Sequence, residues 1–204
     1  MFNKPTYKIE NKLYKRGFSK IAGLDEAGRG SWAGPVVAAA VILPPKLRIL
    51  GLRDSKLLSP QKREKLFVYI NKNSLGVGIG IISEKVIDRE GIISATRQAF
   101  FQAIEQLEDK IEYLLVDGLK IFDHNIPTDF FIKGDNRSMS IAAASIIAKV
   151  TRDDILKKYH GKYPEYEFHK HKGYGTKLHR QALDKYGICD IHRTSYEPIM
   201  RRLG

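Results

Sequence analysis

The sequence predicts a mixed α/β domain, a sheet with both antiparallel and parallel pairing flanked by helices, with a small, mainly helical C-terminal extension. Short apolar runs rich in β-branched residues alternate with longer segments of helical spacing. The first two runs are separated only by a Gly- and Pro-containing connection, whereas the later ones are separated by helices. A chain of 204 residues, 43% of them hydrophobic, can bury a core and fits one domain with at most a small appendage.

Ile21 to Asp25 is the first strand candidate, broken by Gly28 and Gly30. Val36 to Leu43 is the second, ended by Pro44 and Pro45, and Gly34-Pro35 between the two suggests a tight connection. Pro60 to Asn73 places Leu66, Phe67 and Ile70 among charges and reads as an amphipathic helix capped by Ser59. Val77 to Ile82 is a third strand. Ile92 to Leu107 has helical spacing, with Ile93, Thr96, Phe100, Ala103, Ile104 and Leu107 expected on one side. Ile111 to Val116 is a strand running into Asp117-Gly118, and Phe130 to Ile132 is a short one. Ser138 to Lys158 is a long helix of small and apolar residues. From residue 157 the chain turns basic and aromatic, with helix expected near Lys177 to Lys185. The expected division is 1–156 for the core and 157–204 for a C-terminal subdomain packed on it.

Lys plus Arg is 35 and Asp plus Glu is 23, a net charge of +12. Such an excess points to a polyanionic partner, most simply nucleic acid. In the tail, Lys157, Lys162, Lys170, Lys177 and Arg180 interleave with Tyr159, Tyr163, Tyr166, Phe168 and Tyr174. That pattern fits either a subdomain packed on the core or a surface where cations meet phosphates and aromatics stack on sugars or bases. The single cysteine, Cys189, excludes an intramolecular disulfide and a cysteine zinc site. The first twenty residues carry scattered Lys and Arg without the apolar block of a secretory signal. Ala33 to Leu43, the longest apolar stretch, is far shorter than the roughly 20 residues of a bilayer span. A soluble, cytoplasmic protein without membrane contact is expected.

The carboxylates carry the candidate chemistry. Asp25 and Glu26 end the first strand, where adjacent side chains point to opposite faces unless the backbone bends. An exposed charged turn is the alternative. Asp117 is delivered by Leu114-Leu115-Val116 to a strand end, and parallel pairing with the first strand would bring it beside Asp25, at the sheet edge where α/β sites form. Clustered carboxylates there call for a cation, and magnesium suits an all-oxygen site. Asp135, just ahead of the long helix, reads by itself as a helix cap. Asp153 and Asp154 read as solvated surface charge, and Asp54 is ambiguous. The histidines show no zinc spacing.

Taken in order, these segments resemble the type 2 ribonucleases H, the ribonuclease HII family. The resemblance is carried by Gly23-Leu24-Asp25-Glu26-Ala27-Gly28-Arg29-Gly30, Ala33-Gly34-Pro35-Val36-Val37-Ala38, Leu52-Arg53-Asp54-Ser55-Lys56, Val116-Asp117-Gly118 and Lys133-Gly134-Asp135. Ala142-Ala143-Ala144-Ser145-Ile146-Ile147-Ala148-Lys149-Val150-Thr151-Arg152-Asp153 and His171-Lys172-Gly173-Tyr174-Gly175-Thr176 complete it, so that it spans about Ile21 to Arg193. Ribonuclease HIII carries an additional N-terminal domain, for which the segment ahead of Ile21 is too short. Two pairs depart from the family pattern: Ser31-Trp32, in place of a Pro-Leu-like pair, and Glu90-Gly91 after Ile87-Asp88.

The resemblance implies a ribonuclease H-like fold and an endonuclease that hydrolyses RNA paired with DNA and cuts 5′ of single ribonucleotides in duplex DNA. It implies Asp25, Glu26, Asp117 and Asp135 as catalytic metal ligands for two Mg2+ or Mn2+ ions, which would activate water and stabilise the leaving 3′ oxygen. Gly28, Arg29 and Gly30 would read the 2′ hydroxyl, and Tyr174 would pack on the neighbouring deoxyribose. Arg53 and Lys56 are candidate phosphate contacts. The expected partners are RNA–DNA hybrids and ribonucleotide-containing DNA, bound by a monomer. Two other classes stay open on sequence: a non-catalytic basic nucleic-acid-binding protein, and another metal-dependent nuclease of the same superfamily.

Overall fold

The computed structural model describes residues 4–52, 55, 58–107 and 110–203. Arg53, Asp54 and Lys56 therefore lie outside the described residues. Five strands form one sheet: β1 (Ile21–Ala27), β2 (Val36–Ile42), β3 (Gly76–Ile82), β4 (Tyr113–Asp117) and β5 (Thr128–Phe131), in the order β3-β2-β1-β4-β5. The first three strands form an antiparallel meander, and β4 and β5 add in parallel to β1. The mixed pairing expected from the sequence is thus present. The register Leu24↔Val116 sets Asp25 and Asp117 at the next step, side by side at the carboxyl ends of two parallel strands.

Both faces of the sheet are covered, which is why β2 is an unbroken apolar run with every residue buried. On one face, Ala22, Leu24, Ala38 and Ala40 pack against Ala95, Ala99, Phe100 and Ala103 of α3 (Glu84–Glu105). On the other, Ala27, Ala39 and Val41 meet Ala142, Ala143 and Ile146 of α4 (Met139–Lys162), with Leu66 and Ile70 of α2 (Pro60–Asn73) closing the layer. The small side chains of α4 let that helix lie close to the sheet.

Helix signals in the sequence located α2 and α4 well. The Ser59 and Ser138 hydroxyls accept from Lys62 N and Ile141 N, freeing neither helix start of its cap. Asp135 is not the cap: it lies in a 3-10 turn, Gly134–Asn136, ahead of Ser138. The α3 helix begins earlier than the spacing suggested and is kinked at Gly91 (φ 81°), one of the positions that depart from the family pattern. Thr96, Phe100, Ala103, Ile104 and Leu107 are buried as the spacing suggested, together with Ala95 and Ala99, while Ile93, just behind the kink, is 58% exposed.

The α1 helix (Lys8–Tyr14) was not anticipated. Its Glu10 is fully buried and accepts from Ser138 Oγ (2.6 Å), Ser140 N (3.0 Å) and Ser140 Oγ (3.0 Å), an anion placed on the positive end of α4. The expected 156/157 division falls inside α4, which continues to Lys162. Beyond it, Phe168–His171 (α5) and Lys177–Tyr186 (α6) enclose a second apolar cluster of Leu156, Tyr166, Phe168, Leu183, Ile191 and Ile199. Tyr166 and Phe168 are therefore core residues, which corrects any reading of them as stacking groups for a nucleic acid. Asp88 of α3 pins the chain end by accepting from the amides and hydroxyls of Thr194 and Ser195. Among the described residues, no helix is long and apolar enough to cross a membrane.

Candidate active site

Strand β1 directs Asp25 toward α4, and only 7% of its surface is exposed. Its Oδ1 accepts from the Glu26 amide at 2.7 Å. Burial raises the Asp25 carboxyl well above its usual range, and the negative charges of Glu26 and Asp117 push it further, against hydrogen bonds from the Ser145 hydroxyl and the Glu26 amide. Ser145, on α4, also reaches Ser55 Oγ at 3.0 Å. Glu26 is partly buried and forms an ion pair with Arg29 at 3.2 Å. Asp117 Oδ1 accepts from the Gly134 amide at 2.5 Å, so β4 and the turn carrying Asp135 are tied at this edge. Asp135 is itself 7% exposed and accepts from Asn136 Nδ2 at 2.9 Å.

Asp25, Glu26 and Asp117 thus stand close enough to repel one another, and Asp135 follows the glycine that Asp117 holds. Among the described residues, no group of three or more His, Cys, Asp or Glu is arranged to hold a metal ion as it stands. The donor chemistry nonetheless fits a hard divalent cation: the candidate ligands offer carboxylate oxygens, and the Asp25 carboxyl is buried beside the like charges of Glu26 and Asp117.

The bend after Glu26 depends on Gly28, whose φ is +101° and whose absent Cβ would fall 2.0 Å from Arg152 Nε. Gly30 has open space around it and no such requirement. Tyr174 is 37% exposed, and its ring lies 5.6 Å from Lys149 Nζ and 5.5 Å from the Arg152 guanidinium. Asp153 corrects its sequence reading: it is 7% exposed and bound by Lys149 Nζ at 2.7 Å, with Arg63 at 3.8 Å. Asp154 is half exposed and pairs with Lys157 at 2.9 Å. Ser145, Arg152 and Arg193 were missed as site residues. No spacing rule singles out one serine or arginine on a buried helix face, although Ser145 and Arg152 fall within a segment that carried the family resemblance.

The model of the ribonuclease HII family matches residues 22–199. The chain belongs to the ribonuclease HII family. It is 56% identical over 187 residues to the ribonuclease HII of Acetivibrio thermocellus, covering 92% of this chain and 73% of that one. Among solved structures it is similar to the ribonuclease H2 of Pyrococcus horikoshii OT3, with a TM-score of 0.76 and 29% identity over 89% of this chain and 96% of that one. The fold is shared with Bst-RNase HIII in complex with Mn2+, at a TM-score of 0.70 and 16% identity, over 90% of this chain and 69% of that one. Membership makes the protein a ribonuclease H, a hydrolase of RNA in RNA–DNA hybrids, and enzymes of this family are metal-dependent.

Proposed function

We propose that the enzyme cuts on the 5′ side of single ribonucleotides embedded in duplex DNA as well as within RNA–DNA hybrids, leaving 5′-phosphate and 3′-hydroxyl ends. Asp25, Glu26, Asp117 and Asp135 would hold two divalent cations. The observation that carries this reading is the buried Asp25 carboxyl held beside the negative charges of Glu26 and Asp117, on a chain of net charge +12. Magnesium or manganese bound there supplies Lewis acidity toward the scissile phosphate and an activated water.

The remaining work falls to the chain's own residues. Asp25 and Asp117 form the shared centre, held by the Glu26 and Gly134 amides. Gly28 allows the backbone to turn close to the sugar, and its loop offers amides and carbonyls to a 2′ hydroxyl, which both donates and accepts. The exposed Tyr174 ring offers a face to the neighbouring deoxyribose, where an added hydroxyl would clash. Exposed cations along residues 157–204 hold the phosphate backbone, so this segment is a subdomain for binding rather than chemistry. Arg53 and Lys56 would add phosphate contacts near the site.

The test is one gel. Purified protein is incubated with magnesium and with duplexes containing one ribonucleotide, a run of ribonucleotides, or none. Cleavage of the first two, 5′ of the lone ribonucleotide and abolished by chelation, is the expected result. Wild-type cleavage by Asp25→Asn at saturating magnesium would overturn the ligand assignment. Magnesium-independent binding without cutting would favour a non-catalytic protein.

A further inference from the structure

The loop that follows β1 and the loop that carries Tyr174 are far apart in sequence but joined by a dense set of bonds. Arg152, fully buried, forms no salt bridge among the described residues and donates to Pro35 O (2.9 Å), Lys172 O (3.0 Å), Ala33 O (3.0 Å) and Ser31 Oγ (2.8 Å). Ser31, also fully buried, has one proton, which can serve Ala33 O (3.0 Å) or Lys172 O (3.2 Å). Its neighbour Trp32 donates its amide to Gly173 O (2.9 Å) and accepts from Arg193 N (2.8 Å). The Trp32 ring fills the space where a side chain at Gly175 would sit, 2.1 Å from the absent Cβ. Arg193, fully buried as well, donates to Gly34 O (2.8 Å) and Arg29 O (2.9 Å).

Two desolvated guanidiniums directed at neutral carbonyls are costly unless each donor is matched, and their planar forks fix the carbonyls they bind. Ser31 and Trp32 both sit at the seam between the two loops. We propose that Ser31, Trp32 and Arg152 form a positioning bridge that sets the spacing between the Gly28-Arg29-Gly30 loop and Tyr174, and so sets how strictly the enzyme reads a ribonucleotide–deoxyribonucleotide junction. The proposal rests on the junction reading given above. The bridge residues position the recognition groups and touch no reacting atom.

Trp32 is the only tryptophan, so its fluorescence reports on the seam in the intact enzyme. Ser31→Ala removes a buried hydrogen-bond partner of Arg152 and leaves every proposed substrate contact in place, while Arg152→Lys keeps the charge and loses the fork. Acrylamide quenching of Trp32 is expected to rise about twofold in Ser31→Ala. The rate ratio for a lone ribonucleotide against a ribonucleotide run should fall about fivefold, the effect of one hydrogen bond, with kcat on the run within about twofold of wild type. A general loss of folded protein would lower both substrates together and leave the ratio unmoved. If Arg152→Lys does not fold, Ser31→Ala alone carries the test. An unchanged ratio, with or without a change in quenching, overturns the bridge. Failure of the wild-type enzyme itself to cut at a lone ribonucleotide would instead refute the junction reading, and the specificity role with it.

Discussion

Asp25 and Asp153 are equally buried, each 7% exposed, and the regions around them have opposite electrostatics. Asp153 lies on α4 among cations, 2.7 Å from Lys149 and 3.8 Å from Arg63, so its charge is matched within the fold. Asp25 ends β1 among carboxylates, and burial with Glu26 and Asp117 raises its pKa. A buried charge with a partner is part of the structure, whereas one surrounded by its own sign stores unfavourable energy that a ligand can release. The comparison separates a site from a strut among residues that look alike in the sequence.

The largest expected effects split along that line. Asp25→Asn should lower cleavage of a hybrid by about a thousandfold or more, as loss of a ligand in metal-ion catalysis would. In divalent-free buffer it should leave the thermal midpoint equal to or above that of wild type. Asp153→Asn should do the reverse, destabilising by up to about 3 kcal/mol because it leaves Lys149 without its buried carboxylate partner, with kcat of the remaining folded enzyme little changed. Differential scanning calorimetry beside a cleavage assay checks both, and matched stability losses in the two variants would erase the contrast.

Tyr174→Ala comes next. Stacking of an aromatic ring is worth about 1–3 kcal/mol, so cutting at a lone ribonucleotide should fall roughly tenfold or more relative to a run. Equal losses on all substrates would remove Tyr174 from junction reading.

The buried histidines of the tail give a pH prediction. His192 Nδ1 accepts from Cys189 N (2.8 Å), its Nε2 meets His179 Nε2 (3.0 Å), and His179 Nδ1 meets Tyr174 O (3.1 Å). Both rings serve this chain neutral. Burial, helped by the neighbouring His171, lowers His179 to about 3 and His192 to about 4. Their unfolded values lie near 6.5, so as pH falls below 6.5 the unfolded chain takes up protons that the folded one refuses. Stability is therefore full above that pH and lost on acidification, by roughly 3–4 kcal/mol for the pair between pH 7 and 5. Urea unfolding across that range checks it, and a His192→Gln variant with the wild-type slope would contradict it.

The smallest effect should be electrostatic and diffuse. With about six phosphates contacted, the logarithm of the binding constant should fall with the logarithm of salt at a slope near −5. Replacing one exposed tail lysine, such as Lys177, should reduce that slope by about one, read by fluorescence anisotropy with a hybrid duplex.

The helices α2 and α4 and the strands β1 to β4 were legible because each writes its period and its caps locally, as Ser59 and Ser138 do. The α1 helix was not, because Glu10 finds its partners on α4, more than 120 positions away. The expected buried face over Ile92 to Leu107 is present except at Ile93, while the earlier start of α3 and its kink at Gly91 were not legible. At the site, the carboxylates could be named from strand ends and resemblance, but not the company they keep. Arg152 and Arg193 carry no spacing signal of their own, since a buried arginine on backbone carbonyls has no sequence partner to betray it; only the resemblance reaches them.

Residue order by itself determined the strands and main helices, the family, the excess of positive charge and the delivery of Asp25 and Asp117 to strand ends. Periodicity and capping act over a few neighbours, and so survive in a one-dimensional string. Tertiary structure alone decided that Asp153 lies beside Lys149 and Arg63 while Asp25 lies beside Glu26 and Asp117, that Tyr166 and Phe168 fill a core, and that Ser31-Trp32 joins the β1 loop to the loop carrying Tyr174. Those outcomes depend on which charges and carbonyls come within a few ångströms in space, a distance that separation along the chain does not encode.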